Sequence, residues 1–524
     1  MPQLRTRATM IAVSVLAAAA AVLAVPTTAR AAAVEDDGAD CPVAASPAVS
    51  TAQLPDPFTR IDGTRITTTA DWRCRRAEIR EMAERHVYGQ KPARPATVSG
   101  TVTGSAVTAT VTDQGRTASF SASVQLPTTG TAPYPAVVVL GGLGADTTTI
   151  RNAGAAVISF DPLAVGREGT GRAAKQGAFY TLHGSTSTTG ILMAWAWGVS
   201  RLIDVVEQSG GGILRADALG VTGCSRYGKG AFAAGAFDQR LALTMPIESG
   251  TAGVPILRGV PGESGAQPLS SAYGEQPWLG DAFGSYTGNP NSLPVDTHEL
   301  VGLVAPRGLF IMENPHVDWL AARSGSVAAL GGAEIYKALG AGGAISYWSD
   351  VSDGTHCAAR TEWRGPLQQN IQKFLLKTGS STGTFRIAAR KQGDLAQWRS
   401  WQTPILSGGP SSPPPSSPSS PPPSSPPPSS PPPSSGSCTA TITPGTVWGD
   451  RYNTTVTIAG GTNWTVAVAV TAPQQVTTTW SGSFTSNGGT LTVRPNGSGN
   501  TFGFTTMMNG SSSARPRIVS CITG

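Results

Sequence analysis

Short runs of apolar residues alternate with longer stretches of helical spacing over most of this chain. Tyr134–Gly142 (YPAVVVLGG) reads as a buried strand ending in a glycine turn, and Ala155–Phe160 followed by Asp161-Pro162 as the next strand. Gly190–Glu207 (GILMAWAWGVSRLIDVVE) places its apolar residues at helical intervals. Ala218–Thr222 predicts a short strand, which Gly223-Cys224-Ser225 turns into a helix over Gly228–Phe237. Leu241–Ile247, Arg307–Met312 and Ala344–Ser349 predict further strands, and Trp363–Lys377 a closing helix. Apolar strands alternating with helices predict a mostly parallel sheet covered on both faces, a three-layer α/β architecture. Beyond Cys438 the period changes to two, as in Thr454-Val456-Ile458, Trp464-Val466-Val468 and Leu491-Val493. That pattern predicts an antiparallel β-sandwich.

The ends and the middle divide the chain further. Arg5 and Arg7 precede the apolar run Met10–Val25, which leads to Thr28-Ala29-Arg30-Ala31-Ala32-Ala33. A basic segment, an apolar segment and an A-x-A site predict a secretory signal peptide over residues 1–33, hence an extracellular, secreted protein. Residues 407–437 are almost only Pro, Ser and Gly. Such a segment buries no core and favours extended polyproline II, reaching on the order of 90 Å at about 3.1 Å per residue. The predicted organisation is therefore a main domain at 34–406, a linker at 407–437 and a small module at 438–524. Hydrophobic residues at 40% exclude wholesale disorder. A net charge of +6 made of scattered arginines argues against a nucleic-acid partner, and no later apolar stretch is long enough for a membrane helix. Export makes the six cysteines disulfide candidates. In sequence order they fall as Cys41 with Cys74, Cys224 with Cys357 and Cys438 with Cys521, the last pair set apart by the linker.

The strongest candidate chemistry sits at Ser225. A serine between glycines, after a short strand and before a helix, has the form of a nucleophile elbow, in which a sharp turn exposes the hydroxyl above the sheet. The second glycine of Gly223-Cys224-Ser225-Arg226-Tyr227-Gly228 comes one position late for G-x-S-x-G. A serine needs a base, and among five histidines His356 lies in a loop after the last strand, the late position usual in α/β hydrolases. Two acids qualify: Glu248, ending the strand after the nucleophile helix, and Glu313, ending the strand after that. Spacing alone does not choose between them. A Cys224–Cys357 bond would join the residue before the nucleophile to the residue after the base. The histidines are too dispersed for a zinc motif, so no metal or other cofactor is expected.

The run Gly-Cys-Ser-Arg-Tyr-Gly-Lys-Gly-Ala at 223–231 resembles the nucleophile motif of the glucuronoyl esterases, carbohydrate esterase family 15. The resemblance extends over about residues 41 to 378. It includes Leu54–Phe58, Trp72–Arg76, Trp195–Arg201, Ala305–Phe310, Asp318–Leu320 and Thr355–Cys357. It implies an α/β-hydrolase fold and hydrolysis of esters between (4-O-methyl) glucuronic acid on xylan and lignin alcohols. It further implies Ser225 as nucleophile, His356 as base and Glu248 as acid, with Glu313 at the position some bacterial members use. Arg226 resembles an arginine of the oxyanion site, and Lys229, Gln267, Glu275 and Trp319 match positions that contact the glucuronoyl group. The family's third disulfide within the esterase domain has no counterpart here. Residues 438–524 resemble carbohydrate-binding module family 2, closed by Cys438–Cys521. That likeness makes Trp448 and Trp480 surface tryptophans for cellulose or xylan and Trp464 a buried one; the family's third surface tryptophan is absent near Val493–Gly497. A monomer is expected. Two rival readings are an acetyl or feruloyl xylan esterase and a non-catalytic wall-binding protein. Residues of about 379–406 fit neither module.

Overall fold

The computed structural model describes residues 34–407 and 436–523, apart from 47, 380, 448–450, 462, 488, 497–498, 510 and 512–513. The signal-peptide reading of 1–33, nearly all of the linker and Trp448 therefore lie outside the described residues. The chain divides into two compact units, Met1–Pro414 and Pro415–Gly524.

The first unit is built on a ten-stranded sheet. Its strands are β1 (Thr97–Val102), β2 (Ala106–Asp113), β3 (Arg116–Gln125), β4 (Tyr134–Leu140), β5 (Ala156–Phe160), β6 (Leu214–Cys224), β7 (Leu241–Ile247), β8 (Gly308–Met312), β9 (Ile345–Trp348) and β10 (Phe385–Arg386). They lie in the order β1-β2-β3-β5-β4-β6-β7-β8-β9-β10. From β5 to β10 neighbouring strands run parallel, while β1, β2 and β3 form an antiparallel edge. Alternation along β4 explains the layering. Ala136, Val138 and Leu140 join one buried cluster with the helix Ile191–Gln208 and the helix Arg226–Phe237, whereas Val137 and Val139 join a second with Ile150, Trp363, Leu367 and Ile371. A strand apolar on both sides is what a sheet sandwiched between helices requires. The fold is the α/β-hydrolase three-layer sandwich.

In three places the structure departs from segments that the sequence reading named, and the edge strands β1, β2 and β3 were not expected at all. The strand read as Ala218–Thr222 runs from Leu214 to Cys224: Leu214 pairs with Tyr134, and the register then shifts over Arg215 to Asp217, which carry no apolar signal, before pairing resumes at Leu219. The closing helix spans Thr361–Ile371 and finishes in a wider turn over Gln372–Leu376, with Pro366 tolerated inside it. Residues 379–406 belong to the first unit. β10 extends the sheet beside β9, and Trp401 is buried against Phe58 and His298. Ser407 closes the segment: its N–H donates to Thr67 O (2.9 Å), and its carbonyl accepts from Thr69 N (3.2 Å).

The second unit contains β11 (Gly436–Ser437), β12 (Thr439–Val447), β13 (Arg451–Ala459), β14 (Trp464–Ala469), β15 (Gln475–Trp480), β16 (Ser483–Asn487), β17 (Thr490–Arg494), β18 (Thr501–Met507) and β19 (Arg517–Thr523). They form two antiparallel sheets, ordered β11-β19-β14-β17-β16 and β12-β13-β18-β15. Val456, Ile458, Trp464, Val466, Val468, Leu491, Val493, Phe502 and Phe504 fill the core, the inward half of the period-two pattern. Cys438–Cys521 ties β19 to the start of β12. Among the described residues no helix is long and apolar enough to cross a membrane.

Candidate active site

Ser225 occupies the turn between β6 and the helix Arg226–Phe237, with φ 58° and ψ −127°. The flanking glycines let that turn form. A Cβ on Gly223 would come within 2.6 Å of Tyr227 O, and one on Gly228 within 2.5 Å of Ile247 O. The late second glycine is thus the point where the helix crosses β7. Tyr227 takes the position a glycine would have held, and its ring lies where a Cβ on Gly141 would fall, 2.1 Å away. The missing spacing is compensated by Gly141 in the loop after β4.

Glu248 and Glu313 are the first residues beyond β7 and β8, and both are fully buried. His356 Nδ1 lies 2.6 Å from Glu248 Oε2, which also accepts from Cys357 N at 2.8 Å. Asn314 Nδ2 donates to Glu248 Oε1 (3.4 Å), and the Arg360 guanidinium stands 3.6 Å from the same oxygen. Glu313 accepts only the Ser249 hydroxyl, at 3.4 Å, and its other oxygen has no partner among the described residues. Burial, reinforced by the charge of Glu248, raises Glu313 to about 8. The other four histidines lie elsewhere: His86 faces Tyr286, His183 faces Asp113, His298 contacts Pro55 O, and His316 meets Arg390 and Val351 O.

Cys224–Cys357 is formed, as are Cys41–Cys74 and Cys438–Cys521. Left-handed backbone at Ser225, Glu248 and Cys357 (φ 58°, 44° and 59°) marks all three corners of the arrangement, a cost of about 1–3 kcal/mol each that the surrounding packing sustains. Cys224, Glu248, His356 and Cys357 place potential metal-ligand atoms within 4.8 Å of one another. The two sulfurs are bonded to each other and offer no thiolate.

Ser225 and His356 open onto a cleft of about 370 Å³ lined by Arg226, Lys229, Gly250, Gln267, Glu275, Trp278, Trp319 and Leu320. Lys229 is buried, and its ammonium donates to Ser249 O (2.6 Å) and Thr251 O (2.7 Å), leaving one N–H for a ligand. Burial lowers it to about 8, against the opposing pull of Glu275 and Glu313. Gln267 Nε2 donates to Glu275 Oε2 at 2.7 Å. Trp319 is 53% exposed and meets His356 edge-on, with ring centroids 5.9 Å apart. A large ring left in water beside His356 is not a core filler. Sequence reasoning missed Trp278, whose ring lies 5.3 Å from the Lys229 ammonium, and Glu168, which accepts from Arg226 Nη1 (3.0 Å) and Trp278 Nε1 (2.7 Å). It also missed Asn314 and Arg360 behind Glu248. These four residues sit in loops that carry no periodic signal.

In the second unit Trp464 is buried and donates to Asn500 Oδ1 (3.0 Å). Trp480 is 36% exposed and lies flat against Gly503 of the neighbouring strand, where a Cβ would meet its ring at 2.3 Å. The glycine makes room for an indole lying along the sheet surface.

A serine on the sharp turn after the central strand, with a carboxylate-backed histidine on the far loop, places the chain among the α/β hydrolases. Residues 109–340 match a family model described as glucuronyl esterase, fungi. A 4-O-methyl-glucuronoyl methylesterase of Neurospora crassa is 39% identical over 374 residues, covering 70% of this chain and 93% of that protein. One of Hypocrea jecorina is 38% identical, covering 68% of this chain and 77% of that protein. Among solved structures, the glucuronoyl esterase of Sporotrichum thermophile in complex with methyl 4-O-methyl-β-D-glucopyranuronate superposes with a TM-score of 0.66 at 36% identity, over 70% of this chain and 100% of that one. A carbohydrate esterase family 15 glucuronoyl esterase from Caldicellulosiruptor kristjansonii gives 0.59 at 32% identity, over 68% of this chain and 98% of that one. The chain belongs to the glucuronoyl esterases of carbohydrate esterase family 15, and is thereby a carboxylic ester hydrolase.

Proposed function

We propose that the protein is a secreted serine esterase that cleaves esters between (4-O-methyl) glucuronic acid of glucuronoxylan and lignin alcohols. The observation that carries this reading is the 2.6 Å contact between His356 and Glu248 beside Ser225, in one cleft with four polar or aromatic groups suited to a uronate. Ser225 attacks the ester carbonyl as His356 Nε2 takes its proton; Glu248 holds the imidazole by Nδ1. Arg226 and backbone N–H groups at the start of the helix receive the developing oxyanion. His356 then returns the proton to the departing alcohol, and water activated by the same ring releases the acyl group. Lys229, Gln267 and Glu275 supply donors and an acceptor to the sugar hydroxyls, and Trp319 an apolar face. A site built from so many sugar-directed groups fits a uronic acid better than a bare acetyl or feruloyl group.

Residues 438–524 serve, in this proposal, as a module resembling carbohydrate-binding module family 2, joined by the linker at 407–437 and holding the esterase to cellulose or xylan. The flat, half-open face of Trp480 supports that role, with Trp448 as its expected partner. Replacing Trp480 by Ala should release the protein from cellulose or xylan in a pull-down while leaving ester cleavage intact.

The deciding experiment is hydrolysis of a benzyl ester of glucuronic acid, beside acetylated and feruloylated xylan fragments, with Ser225→Ala as control. Cleavage of the uronate ester that vanishes in the variant is the expected result. Activity confined to acetyl or feruloyl esters would overturn the substrate, and inactivity on all would leave a binding protein.

A further inference from the structure

Arg226 follows the nucleophile directly, and its side chain is 45% exposed. A long guanidinium so free in water samples many rotamers, a poor state for a group that must meet a charge at one place. Glu168 removes that freedom. Its side chain is only 12% exposed, and each carboxylate oxygen has its own donor: Arg226 Nη1 on Oε2 at 3.0 Å and Trp278 Nε1 on Oε1 at 2.7 Å. Surface ion pairs are usually worth little because both members move. Here one member is fixed by the indole and by its own loop. Gly169 N donates to Gln276 Oε1 (2.6 Å), and Arg172 donates to Leu279 O (2.8 Å) and Asp281 Oδ1 (3.1 Å). These bonds fasten the loop after β5 to the segment that carries Glu275 and Trp278. Trp278 in turn lies beside the Lys229 ammonium.

We propose that Glu168 is a positioning residue that acts through Arg226, holding the guanidinium at the mouth of the cleft and tying it to Trp278 on the sugar side. This rests on the esterase reading above. The single carboxylate thus sets the spacing between the group expected to meet the oxyanion and the wall expected to meet the uronate.

Glu168→Gln isolates the effect, because the amide oxygen still accepts from Trp278 while no charge faces Arg226. With the methyl ester of 4-O-methyl glucuronic acid, kcat should fall about tenfold with KM changed less than about twofold. In an Arg226→Ala background the same substitution should cause no further loss, since a residue acting only through another has nothing left to position. An unchanged or higher kcat for Glu168→Gln, or losses that multiply in the double variant, would overturn the proposal. The same cycle is read from the rate at which a fluorophosphonate labels Ser225, a reaction that needs the serine and its oxyanion contacts but no particular ester. Failure of the wild type to cleave the uronate ester would sink the substrate reading, and the labelling cycle would still decide the role of Glu168.

Discussion

Glu248 and Glu313 occupy equivalent places at the carboxyl ends of adjacent parallel strands, and the fold treats them in opposite ways. Glu248 faces an imidazole, a backbone N–H, an amide and a guanidinium. Glu313, one strand over, meets a single serine hydroxyl, and burial raises it to about 8. The first environment surrounds a carboxylate with donors, while burial in the second favours a neutral acid at pH 7. Neither role follows from strand position; each follows from what the neighbouring loops bring within reach.

The sharpest way to break the comparison is to remove each acid in turn. Glu248→Ala should lower kcat on a glucuronate ester by about 10³- to 10⁴-fold, by loss of the imidazole's tautomer and orientation, and Glu313→Ala by less than about tenfold. Equal losses, measured by steady-state kinetics, would mean that the two carboxylates share the work. A smaller effect is thermodynamic. Unfolded, Glu313 ionises near 4.5, while folded it keeps its proton to about 8, so the unfolded state binds fewer protons between those values and stability falls as pH rises. Glu313→Gln should therefore melt a few degrees above wild type at pH 7, with the gain fading towards pH 4. A gain that persists at pH 4 would point to packing instead. The smallest effect concerns Lys229, which burial lowers to about 8 against the pull of Glu275. As pH rises through about 8 the ammonium is lost and KM for the uronate ester should climb. In Glu313→Gln that rise should begin at nearly the same pH, because Glu313 still holds its proton where the rise begins.

Much of this was legible in the chain. The strands from β4 onward declared themselves by unbroken apolar runs, because a strand covered on both faces can hold little else. Ser225 was marked by the glycines that its turn needs. The choice between Glu248 and Glu313 was not legible, since it depends on His356 and Arg360, residues about a hundred positions away in sequence. Glu168 and Trp278 were missed for the same reason: a lone acid and a lone indole in loops carry no period. The edge strands β1, β2 and β3 escaped because their outward faces are Thr and Ser over short repeats that read equally well as loop. Residues 379–406 looked orphaned because the segment adds two residues of strand and two buried apolar side chains, Leu395 and Trp401, to a core assembled by others.

The bond between Cys224 and Cys357 closes a span of 133 residues. Without it, a serine and a histidine so far apart would have to find each other afresh whenever the loops around them opened, against the entropy of a long ring closure. With it, the two stay neighbours through any partial melting, and recovery becomes a short-range search. The chain thereby keeps a covalent memory of this arrangement.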